Sequence, residues 1–305
     1  MKTVADFFGN DFAGNGIVRN TEEKINKADS ADRISEVIIR QLNTHEDYKA
    51  CVALQKETWG GDFVECVPPA ILMVSQKIGG VTAGAFDQTG KLFGFVFGMT
   101  GVKDGRLVHW SDMLAVRPEA RDLGLGQKLK LYQRELVREI GVEAIYWTYD
   151  PLVARNAHLN LNRLGVKVSE YVPDMYGEDM AGELNRGLGT DRFIVEWDIT
   201  KEDEAPDDSP KHAMEKFSNA PVVNTKAEEN LSQPIITELP LIPAVRVEIP
   251  ADIQIVKARS LERAADWRAS TRHAIVFYLG NNYQVLGFYR EEKSQRCFYV
   301  LTSKR

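Results

Sequence analysis

Apolar and polar positions recur along the chain with two different periods, and these periods predict its strands and helices. Two-residue alternation or short apolar runs predict strands at residues 37–42, 81–87, 92–100, 106–116, 142–149, 166–172 and 192–199. Apolar residues that recur every three or four positions predict helices at residues 45–59, 68–78, 127–140 and 152–164. The order β-α-α-β-β-β-α-β-α-β-β is typical of an α+β domain with a mixed sheet.

The same pattern divides the chain into four predicted segments. Residues 1–35 are polar and form an N-terminal extension, and residues 36–200 carry the β and α series. Residues 201–245 contain half of the 12 prolines and an acidic run, which predicts a linker. The pattern in residues 246–305 predicts a strand, a helix and a hairpin. Because a unit this small is marginally stable alone, we expect it to dock on the preceding domain or to form a homodimer interface.

Composition and charge narrow the class of protein. The chain is 44% hydrophobic and 27% charged, which is typical of a soluble globular protein. We expect no membrane association, because no apolar run approaches the roughly 20 residues of a membrane span. The net charge of -6, without a basic run, argues against a nucleic-acid partner. The 3 scattered cysteines predict free thiols in a cytoplasmic protein and no metal site.

The most informative motif is an Arg-x-x-Gly-x-Gly turn formed by Arg121, Gly124 and Gly126. It lies between a predicted strand and a predicted helix. The first amides of a helix have no intrahelical acceptors, and the helix dipole favours an anion there. Glycine also lets a ligand approach the backbone closely. The turn therefore predicts a phosphate-binding site, with plain turn packing or a different phosphate-bearing ligand as the alternatives.

The pattern Val-x-Pro-x-x-Arg-x-x-Gly-x-Gly at the start of a helix resembles the acyl-CoA pyrophosphate loop of the GNAT (Gcn5-related) N-acetyltransferase superfamily. The predicted element order over residues 36–200 is also similar to that family. The resemblance implies a mostly antiparallel sheet flanked by helices, and acetyl-CoA or another acyl-CoA as co-substrate without a metal. It also implies a bulged strand before the loop and the following cofactor-binding residues: Met113, Leu114, Val116, Arg121, Asp122, Leu123, Gly124, Leu125, Gly126 and Gln127.

Acyl transfer to an amine needs a base, and the strand before the loop offers two candidates. Asp112 is the first choice and His109 the second. Either residue could instead serve only the structure, the Asp by bonding a backbone amide and the His as a core residue. Strict alternation places His109, Ser111 and Met113 on one face of the strand, unless a bulge intervenes.

A second family signature is matched only loosely. Asn156 corresponds to the family's cofactor-binding Asn, but the Tyr that protonates the thiolate is absent from the following helix. Tyr171 and Tyr176 are candidate replacements, and proton return through water is the alternative. The long loop before the last predicted strand adds Arg186 and Arg192, which could hold a carboxylate of the acceptor or of a succinyl group. Tyr149 is a further candidate substrate-binding residue.

These observations predict an acyl-CoA-dependent N-acyltransferase that moves an acetyl or other small acyl group to a small-molecule amine such as an amino acid. The alternative is a non-catalytic acyl-CoA-binding regulator on the same fold, because the helix tyrosine is missing.

Overall fold

The computed structural model describes residues 37–61, 64–121, 123–177, 187–200, 216–228, 231–291 and 293–304. The chain divides into two compact units, Met1–Trp147 and Thr148–Arg305. We call them the first and the second unit. The predicted N-terminal extension, residues 1–35, lies outside the described residues.

The first unit is built on a twisted meander that ends in a parallel strand. Its strands are β1 (Ile38–Gln41), β2 (Val81–Phe86), β3 (Leu92–Lys103), β4 (Arg106–Val116) and β5 (Ala144–Tyr149), whose last two residues belong to the second unit. They lie in the order β1-β2-β3-β4-β5. The pairings from β1 to β4 are antiparallel, and the β4–β5 pairing is parallel.

The helices of the first unit begin and end where local chemistry dictates. In α1 (His45–Trp59) the Thr44 hydroxyl accepts a 3.1 Å bond from the Asp47 amide. The Asp47 carboxylate accepts a 3.2 Å bond from the Thr44 amide, which completes a capping box. Two prolines open α2 (Pro69–Lys77), where the missing amide hydrogen has little cost. A 3-10 turn, Pro118–Ala120, precedes α3 (Leu125–Glu139).

A continuous apolar cluster lies between the first two helices and one face of the sheet. Its side chains come from both helices, from the segment before α1 and from the central strands, and they are Leu42, Tyr48, Cys51, Leu54, Trp59, Leu72, Phe86, Leu92, Phe95, Phe97, Met113 and Ala115. Burial of this many large side chains is the main favourable term in the folding of the unit. The helix α3 contacts β2, β3 and β4.

The second unit combines the last elements of the predicted acyltransferase domain with the C-terminal segment. A short α4 (Ala154–Ala157) continues into a π-helix (His158–Arg163), and β6 (Lys167–Val172) pairs antiparallel with β7 (Arg192–Asp198). A hairpin of β8 (Thr225–Glu228) and β9 (Leu231–Pro234) follows. The remaining elements are β10 (Ala244–Ile249), α5 (Ile253–Arg259), α6 (Leu261–Gly280), β11 (Tyr283–Arg290) and β12 (Cys297–Ser303). The last three strands form an antiparallel sheet in the order β10-β12-β11.

Hydrogen bonds and an aromatic contact join the C-terminal elements to the rest of the second unit. The Tyr299 hydroxyl donates a 2.7 Å bond to the Pro151 carbonyl. The Asn162 amide donates a 2.8 Å bond to the Phe288 carbonyl. The rings of Phe193 and Tyr299 meet edge to face at 5.5 Å. The C-terminal segment therefore packs within one unit with residues 148–200.

The order of the strands and helices over residues 37–200 confirms the predicted fold class. Three features differ from the prediction. The helix predicted over residues 152–164 is a short α-helix, Ala154–Ala157, followed by a π-helix, His158–Arg163, and the Leu164 amide bonds to the Leu159 carbonyl at 3.0 Å. The predicted linker contains the β8–β9 hairpin, and α5 was not predicted at all. The boundaries of the four predicted segments stay predictions.

Candidate functional site

The Arg-x-x-Gly-x-Gly turn opens α3 as the sequence predicts. Gly124 is the N-cap of this helix and has a left-handed backbone with φ of 70°. A Cβ added there would meet no heavy atom within 4 Å, so the backbone angle and not crowding requires glycine. Leu125 and Gly126 are buried in the first turn, while Leu123 is exposed. Asp122 lies outside the described residues.

The strand β4 carries a bulge at Asp112, close to its C-terminal end. Phe97 of β3 pairs with Met113, and Gly98 pairs with Ser111, so Asp112 is an extra residue without a partner in β3. A bulge reverses which face the following side chains occupy. Accordingly His109 contacts α3, whereas Met113 belongs to the apolar cluster beneath α1 and α2. The strict alternation considered for this strand is therefore broken at Asp112.

The strands β4 and β5 are paired only over a short length. Their parallel ladder runs from Val108–Ala144 to Trp110–Tyr146, and the rest of β4, through Leu114 and Val116, extends beyond the last pair. Backbone groups of a strand that continue past a ladder are suited to pair with an extended polar ligand. Along the chain, this part of β4 is followed by the Gly124 turn.

The carboxyl group of Asp112 is held in an unusual environment. The residue is 4% exposed, and its Oδ1 has no hydrogen-bond partner among the described residues. Burial, with a smaller contribution from the negative charge of Glu65, raises the pKa of Asp112 to about 6, against the opposing effect of a hydrogen bond from the Trp110 side chain. A carboxyl group with a pKa near neutrality is suited to accept a proton from an amine.

The side chain of His109 is enclosed by protein partners. The Thr100 hydroxyl donates a 2.6 Å bond to the Gly79 carbonyl, so at 3.0 Å it accepts from His109 Nδ1. The other ring nitrogen then accepts from Gln133 Nε2 at 3.0 Å. Burial, with a smaller contribution from the nearby Lys130, lowers the pKa of His109 to about 3. This geometry favours a role in holding β4 against α3, and the catalytic assignment of His109 stays a prediction.

Lys130 is a notable buried group that the sequence analysis did not single out. Its side chain is 0% exposed, its Nζ has no hydrogen-bond partner among the described residues, and it lies 3.6 Å from the ring centroid of Trp147. Burial lowers the pKa of Lys130 well below its usual value. The attraction of a cation to the indole ring opposes this shift, but at about 2 kcal/mol it is small beside the cost of burying an ammonium ion. The sequence does contain a signal for the burial of Lys130. Its helical spacing from Gly126 and Gln133 places all three residues on the buried face of α3.

The second unit carries the other predicted residues. Asn156 is 1% exposed, and neither its side-chain oxygen nor its side-chain nitrogen has a partner among the described residues. A buried amide without partners has a large desolvation cost, which favours a ligand at this position. The π-helix that begins two residues later is a rare conformation that is frequent at functional sites.

The three candidate tyrosines occupy different environments. Tyr149 is fully buried, and burial raises its pKa. The Tyr171 hydroxyl donates to the Asp191 carboxylate. Burial, together with the negative charge of Asp191, raises the pKa of Tyr171 above its usual range. The Tyr176 hydroxyl lies 3.1 Å from the Thr148 hydroxyl. Of the three hydroxyls, that of Tyr171 is engaged by a carboxylate, and all three assignments stay predictions.

Of the two candidate arginines, the structure describes Arg192. Arg186 lies outside the described residues. Arg192 is 1% exposed, lies 3.7 Å from the Asp150 carboxylate and places its guanidinium 5.4 Å from the ring centroid of Tyr176. The structure thus brings Tyr176 and Arg192 together within the second unit, as the sequence groups them.

The described residues contain neither a candidate metal-binding group nor a candidate membrane-spanning helix. No group of three or more His, Cys, Asp or Glu side chains in the described ranges could hold a metal ion. Within those same ranges, none of the helices combines the length and the apolar character that crossing a bilayer requires.

No protein-family profile and no curated protein sequence matches the chain. Solved structures do match part of it. An aminoglycoside 6'-acetyltransferase type Ii is 18% identical over 54% of this chain and 99% of its own, with a TM-score of 0.43. A putative acetyltransferase from Salmonella typhimurium, solved with acetyl-CoA, is 18% identical over 56% of this chain and 98% of its own, with a TM-score of 0.42. A GNAT acetyltransferase from Streptococcus pneumoniae is 18% identical over 53% of this chain and 98% of its own, with a TM-score of 0.43. Over about half of its length, the chain is therefore similar in fold to these solved acetyltransferases.

Proposed function

We propose that this chain is an acyl-CoA-dependent N-acyltransferase that acetylates the amine of a small molecule. The observation that carries the proposal is the sequence of features along β4 and α3. A buried carboxyl group with an unpartnered oxygen, Asp112, lies at a bulge, and the same strand leads into the glycine turn at Gly124. This order supports one continuous site for a long ligand with an anionic end.

The residues fit an acyl-CoA in three respects. The amides of the Gly124 turn and the dipole of α3 suit the pyrophosphate. The part of β4 beyond its ladder with β5 suits the amide groups of the pantetheine arm, and a backbone N–H near Leu114 would stabilise the oxyanion of the tetrahedral intermediate. Acyl-CoA supplies a thioester, whose carbonyl carbon accepts a nucleophile. The unpartnered oxygen of Asp112 supports its assignment as the group that takes the proton.

The proposed reaction balances without a further reagent. The amine nitrogen forms a bond to the thioester carbon while its proton passes to the Asp112 carboxylate, and the carbon–sulfur bond then breaks. The thiolate takes up a proton from water, and Asp112 returns its proton to solvent. The products are an amide and free CoA. A succinyl group could replace the acetyl group, since nothing in this scheme depends on the acyl chain.

Calorimetric titration with acetyl-CoA, followed by an assay of CoA release with a panel of primary amines, tests the proposal. We expect binding, and release only when an acceptor is present. Failure of acetyl-CoA at millimolar concentration to bind or to raise the melting temperature would refute the acyl-CoA site. Binding without transfer to any amine would instead support the non-catalytic regulator.

A further inference from the structure

One arginine of α6 holds two carboxylates that lie at opposite ends of the connection between β6 and β7. Arg272 donates from Nε to Asp191 at 2.8 Å and from Nη2 to the other oxygen of the same carboxylate. The same Nη2 donates to Asp174 at 2.9 Å. Asp191 is buried and also accepts a hydrogen bond from the Tyr171 hydroxyl. Because a bidentate guanidinium–carboxylate pair fixes geometry as well as charge, we call these four side chains the α6 clasp.

Direct bonds between the two ends of the connection complete the α6 clasp. The Asp174 amide donates to the Asp191 carboxylate at 3.1 Å, and the Asp174 carboxylate accepts from the Thr190 amide at 3.2 Å. Gly189 has a φ of 73°, and a Cβ there would lie 2.5 Å from Asp174 Oδ1 and 3.1 Å from Arg272 Nη2. Both the backbone angle and the close approach therefore require glycine at this position.

The α6 clasp also determines where Tyr176 lies. The Tyr176 amide donates to the Thr190 hydroxyl at 3.0 Å, and its own hydroxyl lies 3.1 Å from that of Thr148. Thr190 is the residue whose amide bonds to the Asp174 carboxylate. A continuous series of hydrogen bonds therefore runs from Arg272 through Asp174 and Thr190 to Tyr176.

The two tyrosines considered as proton donors have different parts in this arrangement. The Tyr171 hydroxyl donates to the Asp191 carboxylate, and burial together with that negative charge raises the pKa of Tyr171 above its usual range. Loss of this proton would place two negative charges side by side in the protein interior, which is unfavourable. The Tyr176 hydroxyl lies beside a neutral group, the hydroxyl of Thr148. The contacts therefore favour Tyr176 over Tyr171 as a proton donor.

We propose that Arg272 of α6 is a positioning residue, which holds Tyr176 in place to return a proton to the CoA thiolate. In this step the phenolic O–H bond breaks as the proton moves to sulfur, and the phenolate regains a proton from water. Tyr176 thus takes the place of water in the final protonation, and Tyr171 serves the α6 clasp. The inference rests on the proposed acyltransferase function. It deepens that function by giving the C-terminal helix a part in the reaction.

A double-mutant cycle tests whether Arg272 acts through Tyr176. With the best acceptor from a panel of primary amines, Tyr176→Phe should lower kcat by roughly 10²-fold, because the proton donor is lost. Arg272→Met should lower kcat about tenfold in the native chain, but by less than about twofold in the Tyr176→Phe background. Arg263→Met, in the first turn of the same helix, is the matched control and should leave kcat within about twofold in both backgrounds. Equal losses from Arg272→Met in the two backgrounds would mean a structural role alone and would overturn the inference.

A second variant disturbs the α6 clasp without removing the charge of Arg272. In Gly189→Ala the added Cβ would crowd Asp174 and Arg272, so this variant should show the same loss of kcat as Arg272→Met. Gly105→Ala, in the turn between β3 and β4, is the matched control. Gly105 has a φ of 76°, and a Cβ there would meet no heavy atom within 4 Å, so the backbone cost is similar but nothing is crowded. If Arg272→Met does not fold, this pair decides the question, and equal kcat in the two glycine variants would contradict the inference.

The affinity for acetyl-CoA separates this inference from the function on which it rests. Measured by calorimetry, it should be the same in the native chain, in Arg272→Met and in Tyr176→Phe. Absence of acetyl-CoA binding by the native chain, or of CoA release with every amine, would refute the proposed function and the inference with it. Transfer by the native chain together with unchanged kcat in Tyr176→Phe would refute the inference alone.

Discussion

Arg268 of α6 donates a 2.6 Å hydrogen bond to the carboxylate of Asp150, a residue 118 positions earlier in the chain. Both side chains are buried. The same guanidinium donates a 2.9 Å bond from its Nε to the Leu188 carbonyl. This contact shows that the C-terminal helix supplies charge to the interior of the second unit.

Replacement of Arg268 by Met should destabilise the protein strongly. Asp150 would keep the 2.8 Å bond from the Leu152 amide and the 3.7 Å contact with Arg192, but its buried negative charge would lose the nearer of its two counter-ions. Breaking a buried ion pair from one side typically costs about 3–5 kcal/mol. Chemical denaturation measures this loss. Arg290→Met, at an exposed arginine in β11, is the control and should change the free energy of unfolding by less than about 0.5 kcal/mol.

Substitution of Gly124 should weaken acyl-CoA binding more than its effect on stability explains. Gly124 and Gly90 have φ angles of 70° and 83°, and a Cβ at either would meet no heavy atom within 4 Å. Gly124→Ala and Gly90→Ala should therefore have similar backbone costs, about 1–2 kcal/mol each. Only the change at Gly124 should lower the affinity for acetyl-CoA in a calorimetric titration, by roughly tenfold. Equal affinities in the two variants would mean that the glycine serves only the turn.

Removal of the buried amine of Lys130 should stabilise the protein. Lys130→Met keeps the length of the side chain and its packing on Trp147, and it removes a polar atom that has no acceptor among the described residues. We expect a gain of about 1–2 kcal/mol in the free energy of unfolding at pH 7.

The pH dependence of this gain has a definite sign. The pKa of Lys130 is lowered in the folded state, so between that pKa and the usual lysine value the unfolded chain binds more protons. The native protein should therefore gain stability relative to Lys130→Met as the pH rises from 7 to 10. Denaturation curves at several pH values check this, and a constant difference would show that the folded amine is charged.

Asp112→Asn should separate catalysis from stability. If Asp112 is the base, its pKa of about 6 places the acidic limb of kcat/KM near that pH, because the carboxylate must be ionised to accept a proton. The variant should lose roughly 10²–10⁴-fold in kcat/KM and lose this limb as well.

The same variant should lose activity but gain stability at neutral pH. The pKa of Asp112 is raised on folding, so the folded chain binds more protons than the unfolded chain between the usual aspartate pKa and about 6. The native protein loses stability as the pH rises through this window, and Asp112→Asn avoids that loss. At pH 7 the variant should therefore unfold at a higher temperature. A lower melting temperature together with unchanged kcat/KM would assign Asp112 a structural role.

Local patterns predicted much of the first unit. The N-cap Thr44, the prolines at the start of α2 and the glycine turn at Gly124 act through neighbouring residues, so they can be recognised in the sequence. The π-helix, His158–Arg163, could not be recognised, because a π-helix and an α-helix have similar apolar spacing over so short a length. The bulge at Asp112 could only be considered, since its position depends on the register of β4 against β3.

The sequence by itself determined the order of strands and helices, the glycine turn that opens α3 and the presence of an Asp in the strand before it. These depend on periodicity and on the backbone freedom of single residues, which act over a few positions. The tertiary structure alone decided that Asp112 is a buried bulge residue, that Lys130 is enclosed beside Trp147, and that Arg268 reaches Asp150. Burial and ion pairing depend on which surfaces meet, and those surfaces come from segments that are far apart in the chain.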